Sequence, residues 1–342
     1  MRSSQQVSAQ PAAVTCSTTP ASYSYDRHSY CLNSFKATLT SWSEEGAVVG
    51  TGVVLVSANA DLSASSGQWQ EAMTATLSEA TGTVKELGLT LTASCTAACT
   101  ATVPNPWAGS RLVTLGQSAT GNVTFLSTPG AGLVSNITTK YDLQVDQPGT
   151  TPINIHATWS NPRQVRCDTT FADNTSTGCV ISDVRAKVVL DQATYGAAAA
   201  TYGWAENYLI DHWGSTANPL QRLADLTAQE SNRTNTCKTG ATRPFVTLPD
   251  IVPDDSCDEY PFAATHQGGT NGGLCADVIP QLQNGVWNIY QDTNAPDVTF
   301  NEPCVRGHVP GTQNSAAGGK LGTTTQTERI IPDEKYVVVI TS

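Results

Sequence analysis

The sequence has few charged residues, and fewer basic than acidic ones. Charged side chains make up 14% of its 342 residues, with 18 Lys and Arg against 29 Asp and Glu, and the net charge is −11. This balance argues against the basic face by which a nucleic-acid-binding protein normally neutralises phosphates. No apolar run is long enough to cross a bilayer. The N-terminus also lacks the apolar core of a signal peptide, so we expect a mature secreted chain whose leader has been removed or replaced.

Several motifs of known chemistry are missing as well. No C-x-x-C pair occurs, which argues against a zinc ribbon or a thioredoxin-like site. No P-loop and no G-x-S-x-G elbow occurs, so the sequence does not support an NTPase or a serine hydrolase. No internal repeat of fixed period appears.

The ten cysteines are even in number and irregular in spacing, which favours disulfides formed in an oxidising compartment. We therefore expect a secreted, extracellular protein. Sequence neighbours suggest three pairs, and the last four cysteines could form two more, although sequence alone does not fix the connectivity. The suggested pairs are Cys16–Cys31, Cys95–Cys99, Cys167–Cys179, Cys237–Cys257 and Cys275–Cys304.

The chain is long enough for two or three domains. Residues 1–24 are polar and contain proline, which predicts a flexible N-terminal segment. Residues 25–165 form a succession of short alternating segments such as "EAMTATLS" and "GNVTFLS", broken at intervals by Gly, Pro, Asn and Ser. This pattern predicts an all-β antiparallel sandwich, immunoglobulin-like, with about seven to nine strands.

The composition changes after residue 165. Residues 166–236 are predicted to be a helical and irregular connector, because an Ala-rich stretch at 193–213 favours a helix and three leucines further on have helical spacing. Residues 237–342 predict a small α+β domain. In it, we expect a helix to begin at Asn314 or Ser315 and "KYVVVITS" to form the last strand.

The stretch "DDSCDEYPFAATHQGG" at 254–269 places four carboxylates around one cysteine. A pair of carboxylates can bind a divalent metal ion, activate water, or do both. Neighbours in a strand point to opposite faces, so Asp258 and Glu259 can serve one site only at a bend or a helix start. From charge alone, a solvated acidic turn before Pro261 is the more common outcome.

Three sequence blocks that follow one another along the chain favour a functional site over a solvated turn. They are "CDEYPFA" at 257–263, which a short Gly-rich stretch follows, "NSAAGGKLG" at 314–322, and a closing hydrophobic strand in "IPDEKYVVVI" at 331–340. Together they resemble the secreted NucA/NucB deoxyribonuclease family. The resemblance covers the region from 237 to the end and none of the N-terminal β region.

This resemblance implies a secreted, metal-dependent and largely sequence-nonspecific DNA endonuclease that hydrolyses phosphodiester bonds in a compact ββα-metal-like domain. It implies Asp258 as the general base, in place of the histidine common in that fold. Glu259 would be its partner, orienting water or binding the metal. Asn314, at the helix start, would be a ligand of one divalent ion, Mg²⁺ or Mn²⁺, or would support such a ligand. His266 is a further candidate for contact with phosphate or metal.

DNA is the substrate that the resemblance implies, and contact with it requires a local basic patch in an acidic domain. Residues 237–342 contain six Lys and Arg against twelve Asp and Glu. For each basic residue taken singly, ordinary solvated surface is the more common role. The candidates for DNA contact are Arg243, Arg306, Lys320 and Arg329.

Two other functions stay open. The acidic balance and the lack of a carboxylate near Asn314 also suit a non-catalytic extracellular binding or adhesion protein that retains a degenerate nuclease scaffold. A DNase toxin, in contrast, would be accompanied by a cognate inhibitor protein as its partner. A plasmid-nicking assay with and without EDTA separates an enzyme from a binding protein.

Overall fold

A computed structural model describes residues 14–104, 107, 109–171 and 176–342. The chain divides into two compact units, Met1–Val184 and Arg185–Ser342. Each unit has its own hydrophobic core. Among the described residues, no helix is both long enough and apolar enough to span a bilayer.

The described part of the N-terminal unit contains thirteen strands. They are β1 (Ser22–Tyr25), β2 (Ser29–Trp42), β3 (Val48–Asp61), β4 (Gln68–Gly82), β5 (Glu86–Cys95), β6 (Cys99–Thr102), β7 (Arg111–Thr114), β8 (Ser118–Ser127), β9 (Val134–Ile137), β10 (Thr139–Asp146), β11 (His156–Ser160), β12 (Val165–Asp168) and β13 (Gly178–Val180).

These strands form three antiparallel sheets. Their orders are β1-β2-β3-β4-β8-β6, β11-β10-β5-β7 and β13-β12-β9. Strand β10 illustrates the sequence pattern behind these sheets. Tyr141, Leu143 and Val145 alternate with more exposed polar residues, so one face of the strand is apolar and lies in the core. Phe125 of the first sheet meets Tyr141 of the second edge to face, with ring centroids 6.3 Å apart. The two sheets therefore share one core.

The predicted antiparallel β architecture is confirmed, while the immunoglobulin-like topology stays a prediction. The expected strand number was too low, because ten strands, β2–β11, lie wholly within 25–165 and three of them have only four residues, too few to show alternation. Residues 1–13 of the predicted flexible segment lie outside the described residues. Its remainder includes β1, and Cys16 is tied to Cys31 of β2 by a disulfide.

The C-terminal unit mixes strands and helices. Its elements in chain order are β14 (Ala186–Asp191), α1 (Gln192–Tyr208), β15 (Leu220–Gln221), α2 (Leu226–Cys237), β16 (Asp255–Tyr260), a single 3₁₀ turn (Gly272–Leu274), β17 (Ala276–Gln283), β18 (Val286–Gln291), β19 (Val305–Pro310), α3 (Gly311–Thr327) and β20 (Lys335–Thr341).

Two sheets organise this unit. The larger has the order β16-β19-β17-β18, and the smaller has the order β14-β20-β15. Helices α1 and α3 contact each other and the larger sheet, whereas α2 contacts β16 and the 3₁₀ turn. The small side chains Ala197–Ala200 are buried in the core. Gly307 of β19 allows α1 a close approach, because a Cβ there would lie 2.6 Å from Thr201 Oγ1.

The predicted domain boundaries differ from these units. The segment 166–236, expected to be a connector, contributes β12 and β13 to the N-terminal unit. Its second half supplies β14, which pairs with β20 in parallel, and α1, which lies in the C-terminal core. A pairing between strands some 150 positions apart leaves no local mark in the sequence, which is why the boundary at 237 was placed too late.

Some helix and strand predictions in this unit agree with the structure, and others differ from it. The Ala-rich helix and the last strand are found as α1 and β20. Of the three leucines with helical spacing, Leu220 lies in a strand and Leu226 begins α2. Helix α3 begins at Gly311, three residues before the expected start, directly after Pro310.

All ten cysteines form disulfides, and the five pairs are the ones that sequence proximity suggested. Cys237–Cys257 ties the end of α2 to the middle of β16. Cys275–Cys304 ties the start of β17 to the residue before β19. The first link holds the strand with the paired acids against α2, and the second joins β17 to the start of β19, the sheet neighbour of that strand.

Candidate active site

Strand β16 sends its side chains to two different faces of the larger sheet. Ser256, Asp258 and Tyr260 point toward α1 and α3, whereas Cys257 and Glu259 point toward α2. The strand is regular along its pairing with β19, from Asp255 to Tyr260, so no bend brings the two acids together. The two acids therefore have separate surroundings.

Asp258 is 4% exposed and lies against Tyr202 of α1. The Tyr202 hydroxyl donates to both carboxylate oxygens of Asp258, at oxygen–oxygen distances of 2.8 and 2.7 Å. Burial raises the pKa of Asp258 to about 8, against the effect of the Tyr202 hydrogen bond, and the charge of Glu259 adds to the rise. Burial also raises the pKa of Tyr202 well above its ordinary value, so Tyr202 stays a hydrogen-bond donor. Asp258 can therefore exchange a proton near neutral pH.

Asn314 lies in the first turns of α3, on the face of β16 that carries Asp258. Its Nδ2 donates to Ser256 Oγ at 3.1 Å and to the Cys257 carbonyl at 3.0 Å. Both bonds use the amide nitrogen, which leaves the side-chain oxygen as an acceptor. Two antiparallel strands, β16 and β19, and the helix that follows them thus carry Asp258 and Asn314 on adjoining elements.

Glu259 lies on the other face, with Oε2 3.5 Å from Cys237 Sγ. That sulfur is in a disulfide, so the approach is a packing contact. Burial raises the pKa of Glu259 to about 7, and the charge of Arg233 opposes the rise. The structure does not bring Glu259 to the face of Asp258 and Asn314, because neighbours in a strand alternate.

The α2 face of the sheet also holds a buried ion-pair network. Arg306 is fully buried and donates from Nε and Nη2 to the two oxygens of Asp277, each at 2.7 Å. Its Nη1 donates to the carbonyls of Thr236 and Arg243, at 3.2 and 2.8 Å. Arg306 therefore joins β19, β17 and the end of α2. The prediction that it contacts DNA is wrong, because its donors are used inside the protein.

The other predicted DNA contacts differ in accessibility. Arg243 pairs with Asp277 and donates to the Cys275 carbonyl at 3.2 Å, so it too has a structural role. Arg329 is buried, which rules out the exposed position that was expected. Lys320 is partly exposed on α3 and keeps the access that a phosphate contact requires.

His266 lies in the loop after β16. Its Nε2 is 2.6 Å from Asp333 Oδ1, and both side chains are exposed. The structure thus gives this histidine an acidic partner at the surface, in the turn before β20. No contact of His266 with Asp258 or Asn314 is among those found in the described part of the chain.

Two features of the site were missed from the sequence. Tyr202 is separated from Asp258 by 56 residues and gave no signal beyond its place in an Ala-rich helix. The second is a buried pair in which His308 Nδ1 lies 2.7 Å from Asp255 Oδ2, across 53 residues. Asp255 also accepts from the backbone N–H of Leu248 at 2.7 Å, which fixes the start of β16.

A metal ion at this site would have few protein ligands. In the described ranges, no group of three or more His, Cys, Asp or Glu side chains is arranged to bind a metal ion. Helix α3 itself has no Asp or Glu. Mg²⁺ usually keeps several waters and binds through one or two protein groups and substrate phosphates. Asp258 and Asn314 carry the oxygen ligands that such an ion prefers, on adjoining elements.

Comparison with protein families places the acidic strand within a known domain. Residues 210–287 match the family Deoxyribonuclease NucA/NucB. The matched segment runs from β15 into β18 and includes Asp258 and Glu259, but it ends before α3 and Asn314. The predicted family is thereby confirmed. No curated protein matches the chain.

Proposed function

We propose, from the place of the C-terminal unit in the NucA/NucB deoxyribonuclease family, that this chain is a DNA endonuclease that hydrolyses phosphodiester bonds. One observation carries the proposal: a buried carboxyl group with a pKa of about 8, Asp258, lies in the matched segment on a strand beside the helix of Asn314. Five disulfides and the absence of a spanning helix in the described residues support a secreted enzyme.

Asp258 is the proposed general base. Hydrolysis requires a water molecule to lose a proton as it attacks phosphorus, and a carboxylate with a raised pKa is a stronger base than an ordinary one. Tyr202 holds the carboxylate in one orientation and stabilises its ionised form. Because the hydrogen bond comes from a buried side chain of α1, the base is held by a regular element.

A divalent ion, Mg²⁺ or Mn²⁺, would be held by Asn314, on the helix that adjoins the strand of Asp258. When bound, it would neutralise phosphate charge and stabilise the leaving oxygen. Asn314 is held ready for this role by its two bonds to β16. We expect phosphate contacts of this kind, with Lys320 as an accessible cation, to give a sequence-nonspecific enzyme.

The test is nicking of a supercoiled plasmid with Mg²⁺ or Mn²⁺, with and without EDTA. We expect activity that EDTA abolishes, and a loss of about 100-fold or more in Asp258→Asn, as is typical when a general base is removed. Asn can still accept from Tyr202, which protects the fold. Asp250→Asn is the matched control, because Asp250 is an exposed acid in the same matched segment.

Other results have different meanings. If nicking survives both EDTA and Asp258→Asn, the proposed mechanism is wrong, but the chain is still a nuclease. A folded wild-type protein without activity in either metal supports the alternative, a binding or adhesion protein on a degenerate nuclease scaffold. The structural use of Arg306 and Arg243 favours this alternative over an efficient DNA-binding surface.

A further inference from the structure

An aromatic groove lies on the outside of the C-terminal unit, between α1, β18 and the loop before β19. Its volume is about 700 Å³. Three rings from two separate segments meet there: Trp204 lies 6.2 Å from both Tyr208 and Phe300, and the last two lie 6.3 Å apart, measured between centroids. Tyr208 and Phe300 are 59% and 50% exposed. Exposed rings clustered at one concave place indicate a binding surface.

The backbone at Phe300 gives a second, independent observation. Phe300 has a φ of 66°, a left-handed conformation that is unfavourable for a bulky residue. Its loop is held by Glu302, whose Oε1 accepts from the Thr299 N–H at 2.8 Å and from the Thr299 hydroxyl at 2.9 Å. The disulfide of Cys304 anchors the end of the loop. Strain of this kind persists where the surroundings impose it, and here it presents an apolar ring to solvent beside two others.

The polar residues that line the groove are three amides, Gln192, Asn207 and Asn288, together with Thr341 and Ser342. Asn207 of α1 donates from Nδ2 to the Gly203 carbonyl at 2.7 Å, and Asn288 of β18 donates from Nδ2 to the Val286 carbonyl at 3.2 Å. These bonds fix the two side chains and leave each amide oxygen as an acceptor. Trp287 completes the aromatic lining. The described residues that line the groove include no Lys and no Arg.

We propose that this groove binds a neutral oligosaccharide. A sugar ring has an apolar face of C–H groups that packs on aromatic rings, and hydroxyl groups that pair with amides. Single-stranded nucleic acid also stacks on aromatic side chains, but its binding requires a positively charged groove along the backbone. No Lys or Arg is among the described residues that line this groove, and the chain carries a net charge of −11. The ligand class is therefore an uncharged polyol, and the proposal does not depend on nuclease activity.

The test is isothermal titration calorimetry of the full chain against hexasaccharides of β-1,4-glucose, β-1,4-N-acetylglucosamine, α-1,4-glucose and α-1,6-mannose, with oligo-dT of ten nucleotides as the anionic alternative. We expect at least one neutral hexasaccharide to bind, and Tyr208→Ala and Phe300→Ala each to weaken that binding at least tenfold. Trp42→Ala is the matched control, because Trp42 is 57% exposed and belongs to the N-terminal unit. Plasmid nicking by both groove variants should equal that of wild type.

Three results would overturn the proposal. The first is no binding of any of the four hexasaccharides. The second is saccharide binding that neither groove variant weakens. The third is binding of oligo-dT in the groove, lost in both variants, without saccharide binding, which would assign the rings to nucleic acid. Circular dichroism of each variant ensures that a loss of binding is not a loss of folding.

Discussion

Buried carboxyl groups are the main feature of this protein at the residue scale. Asp258 and Glu71 are both almost completely removed from solvent, and burial raises the pKa of Asp258 to about 8 and that of Glu71 to about 7. Each accepts hydrogen bonds from tyrosine hydroxyls, Tyr202 in one case and Tyr30 and Tyr141 in the other. Because tyrosine is a neutral donor, it offsets only part of the cost of burying a charge.

The Tyr202 hydroxyl should set the pH dependence of nicking. A base must be ionised, so activity should rise with pH through about 8. Tyr202→Phe removes the bond that lowers the pKa of Asp258, and the profile of kcat/KM should therefore move to higher pH while activity at its plateau persists. Tyr195→Phe, on the same helix, is the control. A profile that stays in place in Tyr202→Phe would contradict the assignment of Asp258 as the titrating base.

Glu71 should make the N-terminal unit less stable as pH rises. Its pKa is raised on folding from 4.5 to about 7, so the folded unit binds the proton more tightly than the unfolded chain does. Protonated Glu71 thus contributes about 3 kcal/mol to the free energy of unfolding of this unit. The contribution is complete below pH 4.5 and disappears as pH rises through about 7. In Glu71→Gln, unfolding monitored by calorimetry should lose this dependence between pH 4.5 and 8.

The control for this measurement is Glu79→Gln, an exposed acid on the same strand, β4. It should keep the wild-type dependence on pH. If Glu71→Gln kept it as well, Glu71 would not be the group responsible. Gln can still accept from Tyr30 and Tyr141, so the variant tests ionisation more than packing.

At the scale of elements, α1 and α3 are joined at a break in α1. Gly196 has a φ of 51° and interrupts the helix after its first turn. The backbone N–H of Ala197, which follows the break, donates to Gln313 Oε1 of α3 at 2.7 Å. A Cβ at residue 196 would lie 2.4 Å from that same oxygen. The position therefore requires glycine for its backbone angle, and a side chain there would also displace Gln313 from Ala197.

Gly196→Ala should destabilise the C-terminal unit by about 1–3 kcal/mol, because it forces a left-handed residue and displaces Gln313. Urea unfolding followed by tryptophan fluorescence measures the change. Gly318→Ala is a control with the opposite sign: a Cβ there meets no atom within 4 Å, and the change should stabilise α3 by about 0.5–1 kcal/mol. Equal stability of wild type and Gly196→Ala would show that the break in α1 is not constrained.

At the scale of the whole molecule, charge opposes the proposed substrate. Acidic residues outnumber basic ones by twelve to six between 237 and 342, and Arg306 and Arg329 are buried. The long-range field therefore repels DNA, and salt screens that repulsion. An enzyme with a broad basic face behaves in the opposite way, because salt competes with its phosphate contacts.

The rate constant kcat/KM for plasmid nicking should therefore rise, by about 2-fold to 10-fold, when NaCl is increased from about 10 to 100 mM at fixed metal concentration. A small phosphodiester such as bis(p-nitrophenyl) phosphate should respond little, because it carries one charge. A steady fall in kcat/KM on plasmid with added salt would show instead that an attractive patch dominates association.

The sequence by itself determined the local features: the alternation of the β region, the Ala-rich helix, the last strand and the family of the acidic strand. These follow from patterns within a few residues, since periodicity and motif are local properties. The sequence suggested the five cysteine pairs without fixing them. It also indicated that Asp258 and Glu259 would face opposite sides of a regular strand, because successive side chains alternate between the two faces.

Only the tertiary structure decided what each acid faces. It put Asp258 against Tyr202, bonded Asn314 to the strand that carries Asp258, put Glu259 against a disulfide, and used Arg306 to hold three elements together. It also assigned β14 to the second unit through its pairing with β20. Such contacts join residues tens to hundreds of positions apart, and their energies depend on burial that no local stretch of sequence contains.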